Sequence, residues 1–136
     1  MISKSTEIQI INFLKNKIPA LYGIFVYGSY AKNQETKSSD IDLAFLNGEK
    51  ITAVEKWKIQ EELAATLDKD IDLVDLKDAS VVLRKEVVEN GKQICVMDQY
   101  KVEEFEMKTI SMYIDLNETR KDILTDYKEK YGRNSD

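Results

Sequence analysis

Two segments of the chain carry aspartate at alternate positions of a run that otherwise has the apolar composition of a strand. Residues 40–46 read DIDLAFL, and residues 70–76 read DIDLVDL. Aspartate is among the poorest strand formers, so its repeated use here requires a reason other than strand propensity. Because side chains at i and i+2 of a strand project from the same face, Asp40 and Asp42 should share one face. The alternation therefore predicts two strands that each present carboxylates on one side of a sheet.

The remaining sequence predicts further elements around these two strands. Apolar periodicity and turn residues place helices near 5–17, 51–67 and 79–89, and strands at 21–28, 40–46, 70–76 and 93–97. Thr6 and Gln9 have the spacing of a capping box at the start of the first helix. Trp57 is expected on the core face of the second helix. After Asp98 the chain is charged with spaced apolar residues, which predicts a helical tail in one or two pieces.

This order of elements predicts an α/β (α+β) fold with a small mixed sheet of about four strands. A chain of 136 residues with 43% hydrophobic composition is large enough for one core. We assign residues 1–97 to the domain proper and residues 98–136 to a helical C-terminal extension of the same domain.

Composition limits the chemistry that the chain can perform. It has no histidine and one cysteine, Cys95, which excludes a zinc site and a Cys–His pair, so any catalysis must depend on carboxylates. Cys95 lies in an apolar run and is expected to be a buried, inert thiol. The net charge of -5 argues against broad binding to nucleic acid. Without a long apolar run or a signal peptide, we expect a cytoplasmic protein with no membrane association.

Paired carboxylates on one face favour a divalent cation. Two like charges a few ångströms apart raise each other's pKa unless a cation lies between them, and hard oxygen ligands favour Mg²⁺ or Mn²⁺. The second acidic segment supplies a third carboxylate, for which Asp72 is the first choice and Asp70 the alternative. Three carboxylates can hold two metal ions about 4 Å apart.

A Gly-Ser pair precedes the first acidic segment and suggests what the metal ions act on. Gly28 ends an apolar run where the backbone must turn, and a helix can begin just after it. Backbone N–H groups and the Ser29 hydroxyl can then hold the β- and γ-phosphates of a nucleotide. With metal ions on Asp40 and Asp42, the α-phosphorus would lie between the two groups. This arrangement predicts nucleotidyl transfer, in which pyrophosphate leaves the α-phosphate.

Either motif alone is common, but their combination is specific. Gly-Ser is an ordinary turn and Asp-x-Asp an ordinary polar strand face, whereas both together at fixed spacing occur by chance in roughly one of several hundred chains of this length. Gly28-Ser29, ten residues, and then Asp40-Ile41-Asp42 resembles the signature of the polymerase-β-like nucleotidyltransferases. Residues 28–46 are similar to the smallest members, the minimal nucleotidyltransferases, and the resemblance spans about residues 5–97.

The resemblance implies roles for individual residues. The motif glycine and serine, Gly28 and Ser29, would bind the triphosphate of ATP, and Asp40 and Asp42 would bind two Mg²⁺ ions. The third strand aspartate, matched to Asp72, would bind one metal ion and act as base. The chain departs from the common Ala-Arg-Gly sequence after the serine, because it has lysine at position 32. Lysine retains the positive charge for a phosphate but lacks arginine's bidentate geometry.

The resemblance also implies a protein substrate. Minimal nucleotidyltransferases of this kind are similar to antitoxins encoded beside HEPN-domain RNases, which implies transfer of AMP from ATP to a tyrosine of the toxin. The helical tail is the candidate docking surface because its apolar residues exceed what four strands can cover. The alternative is that four of them pack on the open sheet face: Phe105, Ile110, Tyr113 and Leu116.

Two other functions are compatible with the sequence. A non-catalytic antitoxin could inhibit by binding alone, although it would not need the three aspartates. A nucleotidyltransferase acting on a small molecule, such as an aminoglycoside, would need an acidic cleft, and the net charge is compatible with one.

Overall fold

The computed structural model describes the backbone of residues 2–131 and the side chains of residues 2–130. The elements of this part of the chain are α1 (Lys4–Lys17), β1 (Leu21–Tyr27), α2 (Gly28–Ala31), β2 (Ile41–Asn47), α3 (Ala53–Leu67), β3 (Ile71–Asp75), α4 (Val81–Asn90), β4 (Lys92–Val96) and α5 (Gln99–Tyr131). The predicted α/β fold is confirmed, and the tail is one continuous helix as far as it is described. The last five residues of the predicted extension lie outside the described residues, and the division at residue 97 stays a prediction.

The four strands form one mixed sheet in the order β3-β2-β1-β4. β1 is antiparallel to β2 and β4, whereas β2 and β3 are parallel. Because β2 lies between β1 and β3, its first residues are adjacent to the last residues of β1 and the first residues of β3. The topology therefore brings the Gly-Ser segment and both acidic segments to one end of the sheet.

Helices cover both faces of the sheet with separate apolar clusters. On one face, α1 and α3 pack their buried residues, Ile10, Leu14, Ile59 and Leu63, against the strands. The other face packs against α4 and the start of α5, through buried residues that include Phe25, Tyr27, Ala44, Val87 and Val102. Since alternate strand residues share a face, Asp42 lies on the same face as Ala44, below α4 and α5.

The first helix begins earlier than its predicted capping box. Ser3 is the N-cap, and its hydroxyl accepts a hydrogen bond from the backbone N–H of Thr6 at 3.2 Å. The expectation that Thr6 starts the helix is therefore wrong. Both residues have a capping hydroxyl, and the sequence alone did not distinguish them.

Trp57 is not in the core, contrary to expectation. Its side chain is 57% exposed, whereas the buried residues of α3 are Ile59 and Leu63. These two residues are four positions apart and share a face, while Trp57 is two positions before Ile59 and points away from it. Cys95 is half-buried, and burial raises the pKa of its thiol, which disfavours the reactive thiolate.

The long helix α5 packs on the domain only along its first half. Val102 and Thr109 are buried, and Phe105 packs against the second cluster, while Tyr113 and Leu116 are half-buried. Ile110 is exposed, so the alternative in which the four apolar residues pack on the open sheet face holds for Phe105 and not for Ile110. Ile123, Leu124 and Tyr127 are each more than 60% exposed. Among the described residues, no helix combines the length and apolar character needed to cross a bilayer.

Candidate active site

Asp42 and Asp72 lie side by side where the parallel strands begin. The register of β2 and β3 pairs Asp42 with Asp72, so the two side chains project from the same face. Asp42 is half-buried and Asp72 is exposed. Burial, followed by the charges of Asp72 and Asp40, raises the pKa of the Asp42 carboxyl above its ordinary value. The three carboxylates therefore repel one another as they stand.

Asp40 and Asp70 occupy equivalent positions, each one residue before its strand begins. The backbone N–H of Ile41 donates a hydrogen bond to the carbonyl of Asp70 at 2.9 Å, and both aspartate side chains are exposed. Asp40 is close enough to raise the pKa of Asp42, and from the second acidic segment it is Asp72 that does so. This geometry favours Asp72 over Asp70 as the third carboxylate.

Gly28 approaches Asp42 so closely that no side chain fits between them. Its φ of +68° lies in the left-handed region, and a Cβ built on it would be 2.2 Å from Oδ2 of Asp42. Both properties select glycine. The approach follows from the sheet register, which pairs Tyr27, the residue before Gly28, with Asp42. The Gly-Ser turn is therefore directly against the carboxylate.

Ser29 lies in the short helix α2, at the turn that follows Gly28. The backbone N–H of Gln34 donates to the carbonyl of Ser29 at 2.9 Å, and that of Lys32 donates to the carbonyl of Gly28 at 3.3 Å. Ser29 is half-buried. The turn is thus closed by its own backbone, and the hydroxyl can hydrogen-bond to a ligand.

Lys32 forms an ion pair that was not predicted. Its Nζ is 3.2 Å from Oε1 of Glu86 on α4. The side-chain amide of Asn90 donates to the other oxygen, Oε2, at 3.0 Å. The hydrogen bonds from Asn90 and then from Lys32 lower the pKa of the Glu86 carboxyl. No local sequence signal marks this contact, because the two partners lie on elements far apart in the chain.

Tyr27 is the second residue near the site that was not assigned a role. It is 8% exposed and is paired with Asp42 across β1 and β2. Burial, followed by the charges of Asp72 and Asp42, raises the pKa of its hydroxyl. The hydroxyl therefore stays protonated near the carboxylates. The position of Tyr27 immediately before Gly28 is the sequence feature that could have predicted its place near the site. Tyr30, in contrast, packs against the cluster on the opposite face of the sheet.

The donor set fits hard divalent cations. Asp40, Asp42 and Asp72 supply only carboxylate oxygens, which Mg²⁺ prefers. Within the described part of the chain, no three acidic or sulfur-containing side chains already form a metal-binding group. Burial and then the charges of Asp72 and Asp40 raise the pKa of Asp42, and a cation would relieve the part that comes from the two charges. The chemistry of the residues thus matches the predicted metal ions, without a preformed cage.

Replacing Gly28 with alanine tests the close approach to Asp42. We expect Gly28→Ala to lower the free energy of unfolding by about 1–3 kcal/mol, because alanine is strained at positive φ and its Cβ displaces the carboxylate. Urea unfolding measures the loss. In an Asp42→Ala background the cost should be smaller, since only the backbone strain remains. An equal cost in both backgrounds would contradict the contact.

Comparison with known proteins identifies the family of this chain. The family model described as "Polymerase beta, Nucleotidyltransferase" matches residues 8–100. The protein adenylyltransferase MntA of Shewanella oneidensis is 42% identical over 120 residues, which cover 88% of this chain and 86% of that protein.

Two solved structures similar to this chain come from toxin–antitoxin complexes. A toxin–antitoxin crystal structure with AMP-PNP has a TM-score of 0.81 and 42% identity, over 88% of this chain and 96% of that one. Tri-AMPylated Shewanella oneidensis HEPN toxin in complex with MNT antitoxin gives a TM-score of 0.78 and 39% identity, over 92% and 98% of the two chains. Fold, site geometry and family match agree, and the chain belongs to the polymerase-β nucleotidyltransferase family.

Proposed function

We propose that this chain is an antitoxin that transfers AMP from ATP to a tyrosine of a HEPN-domain RNase toxin. The transfer releases pyrophosphate and neutralises the toxin in the cytoplasm. The observation that carries the proposal is the contact of Gly28 with Asp42, with Asp72 in register beside it. The relative named as a protein adenylyltransferase and the solved complex with AMPylated HEPN toxin support the choice of substrate.

The site residues have two roles, phosphate binding by the turn and metal binding by the aspartates. The Gly28-Ser29 turn contacts the β- and γ-phosphates through backbone N–H groups and the Ser29 hydroxyl. Asp40 and Asp42 would hold two Mg²⁺ ions, with Asp72 as a further ligand to one of them. When bound, these ions neutralise phosphate charge and stabilise the attacking and leaving oxygens.

The bond changes follow from this placement. The phenolic oxygen of the toxin tyrosine forms a bond to the α-phosphorus, and the bond from that phosphorus to the α,β-bridging oxygen breaks. The pyrophosphate takes the electron pair of the broken bond. The proton of the phenol passes to the Asp72 carboxylate, which lies at the exposed end of the site. Asp72 can give up this proton to solvent after transfer.

The site geometry argues against inhibition by binding alone. A protein that only binds its toxin gains nothing from a carboxylate whose pKa is raised by burial and then by the charges of two neighbouring carboxylates. The cluster lowers stability at neutral pH, so its presence is explained by chemistry. We see no separate observation that favours a small-molecule acceptor.

The second half of α5 is our candidate for the toxin-docking surface. It presents Ile123, Leu124 and Tyr127, each more than 60% exposed, beyond the part of α5 that packs on the domain. Apolar side chains placed regularly on one exposed helix are suited to packing against helices of a partner. The site itself lies at the sheet end, so docking on α5 leaves the carboxylates accessible.

The transfer reaction tests the proposed function. Purified chain, labelled ATP, Mg²⁺ and the toxin encoded beside it should give toxin heavier by whole AMP units in intact mass spectrometry. Asp42→Asn should abolish transfer yet raise the melting temperature by roughly a few degrees. The sign follows because a carboxyl whose pKa is raised on folding destabilises the folded state once it is ionised. Near-normal transfer by Asp42→Asn would contradict the metal assignment.

A second experiment distinguishes Asp72 from Asp70, the two candidates for the third carboxylate. Asp72→Asn should bind Mg-ATP but lose transfer by about 10²-fold or more, the scale typical of a lost general base. Asp70→Asn is the matched control and should be milder, because Asp70 precedes the strand. Nucleotide titrations and single-turnover rates report the two effects separately. The opposite ranking would move the third carboxylate to position 70.

The docking surface is tested by charge insertion. Leu124→Arg should weaken toxin binding by at least tenfold in titration calorimetry, because it places a charge in an apolar contact. The melting temperature should not change, since Leu124 packs on nothing in the domain core. Lys121→Glu, on the same stretch of helix, controls for a general charge effect. Unchanged toxin affinity in Leu124→Arg would place docking elsewhere.

A further inference from the structure

The ion pair between Lys32 and Glu86 connects the nucleotide turn to α4. Lys32 is three residues after Ser29 and immediately follows α2. Its Nζ contacts Oε1 of Glu86 at 3.2 Å, and the two side chains are 45% and 37% exposed. Neither residue is needed to pack the core, so the pair requires an explanation other than stability. Partly exposed pairs of this kind contribute little to folding.

Glu86 is the fixed member of the pair. The amide of Asn90 holds its second oxygen at 3.0 Å. Val87, the next residue of α4, is 1% exposed and packs in the same cluster as Tyr27, at the end of β1. The carboxylate is therefore anchored on a helix that is itself anchored beside the site. Lys32, at the end of a one-turn helix, is the member that can move.

The ion pair between Lys32 and Glu86 opposes the binding of a nucleotide. A triphosphate bound at the Gly28-Ser29 turn would bring several negative charges close to Lys32, the nearest cation along the chain. If Lys32 pairs with both Glu86 and a phosphate, its interaction with each of them is weaker. Glu86 also adds a negative charge on α4, the helix whose Val87 packs with Ala44 on the sheet face that carries Asp42. The hydrogen bond from Asn90 keeps Glu86 ionised.

We propose that Glu86 sets the nucleotide affinity by competing with the triphosphate for Lys32. This inference rests on the proposed function, because it takes the Gly28-Ser29 turn as the triphosphate site. Without nucleotide, Glu86 binds Lys32. Nucleotide binding transfers the lysine to the phosphates and leaves the Glu86 carboxylate with Asn90 alone. The pair thereby lowers affinity for ATP and favours release of pyrophosphate after transfer. Glu86 is a positioning residue that acts through Lys32.

Nucleotide titrations on the full chain test the competition. The probe is α,β-methylene ATP with Mg²⁺, which cannot be cleaved at the reacting bond. Glu86→Gln should bind it about three- to tenfold more tightly, because glutamine keeps the hydrogen bond with Asn90 but releases Lys32. In transfer assays the same variant should lower KM for ATP without raising kcat. Glu89→Gln, on the same helix and paired with Lys85, is the control and should change affinity less than twofold.

A double-mutant cycle assigns the effect to Lys32. Lys32→Met should weaken binding, and Glu86→Gln in that background should change it less than twofold, because no lysine remains to be released. An equal gain in both backgrounds would overturn the competition, as would unchanged or weaker binding in Glu86→Gln alone. These outcomes leave the proposed function intact. A folded wild-type chain that binds no nucleotide would instead remove the triphosphate site, and this inference with it.

Discussion

The repulsion among three carboxylates at one end of the sheet is the interaction that the rest of the site depends on. Strand register fixes Asp42 beside Asp72, and the chain places Asp40 just before the same strand. Among the ion pairs of the described residues, none includes these three aspartates, so the stability has to come from elsewhere. It comes from two apolar clusters that cover both faces of the sheet along the rest of the strands.

The sheet order explains how the chain brings its candidate site residues together. β2 is paired on both sides, with β1 ending and β3 beginning at the point where β2 starts. Three separate segments therefore reach the same place without any dedicated loop or extra domain. The glycine at the end of β1 is required by this convergence, since the Asp42 carboxylate occupies the space of a side chain.

The sequence was sufficient to predict the parts of the site that follow from periodicity. The alternation predicted Asp42 and Asp72 on neighbouring strands, and the register pairs them. Asp40 was predicted inside the first acidic strand but lies one residue before β2. The contact of Lys32 with Glu86 could not be predicted, since it depends on how α4 packs over the sheet. The exposure of Trp57 was mispredicted for a similar reason, because apolar periodicity does not show which part of a helix face meets the core.

The contrast between the two halves of α5 has a consequence for the free energy of binding a partner. A helical segment that does not pack on the rest of its domain is marginal in water, because its backbone hydrogen bonds alone barely offset the loss of chain entropy. Every side chain from position 117 to position 130 is exposed. The amides of this half should therefore exchange with solvent far faster than those near Val102. A partner that binds this half must also supply part of the free energy that orders it. Affinity for a partner bound there would then fall more steeply with temperature than binding at the end of the sheet, where the residues are already ordered.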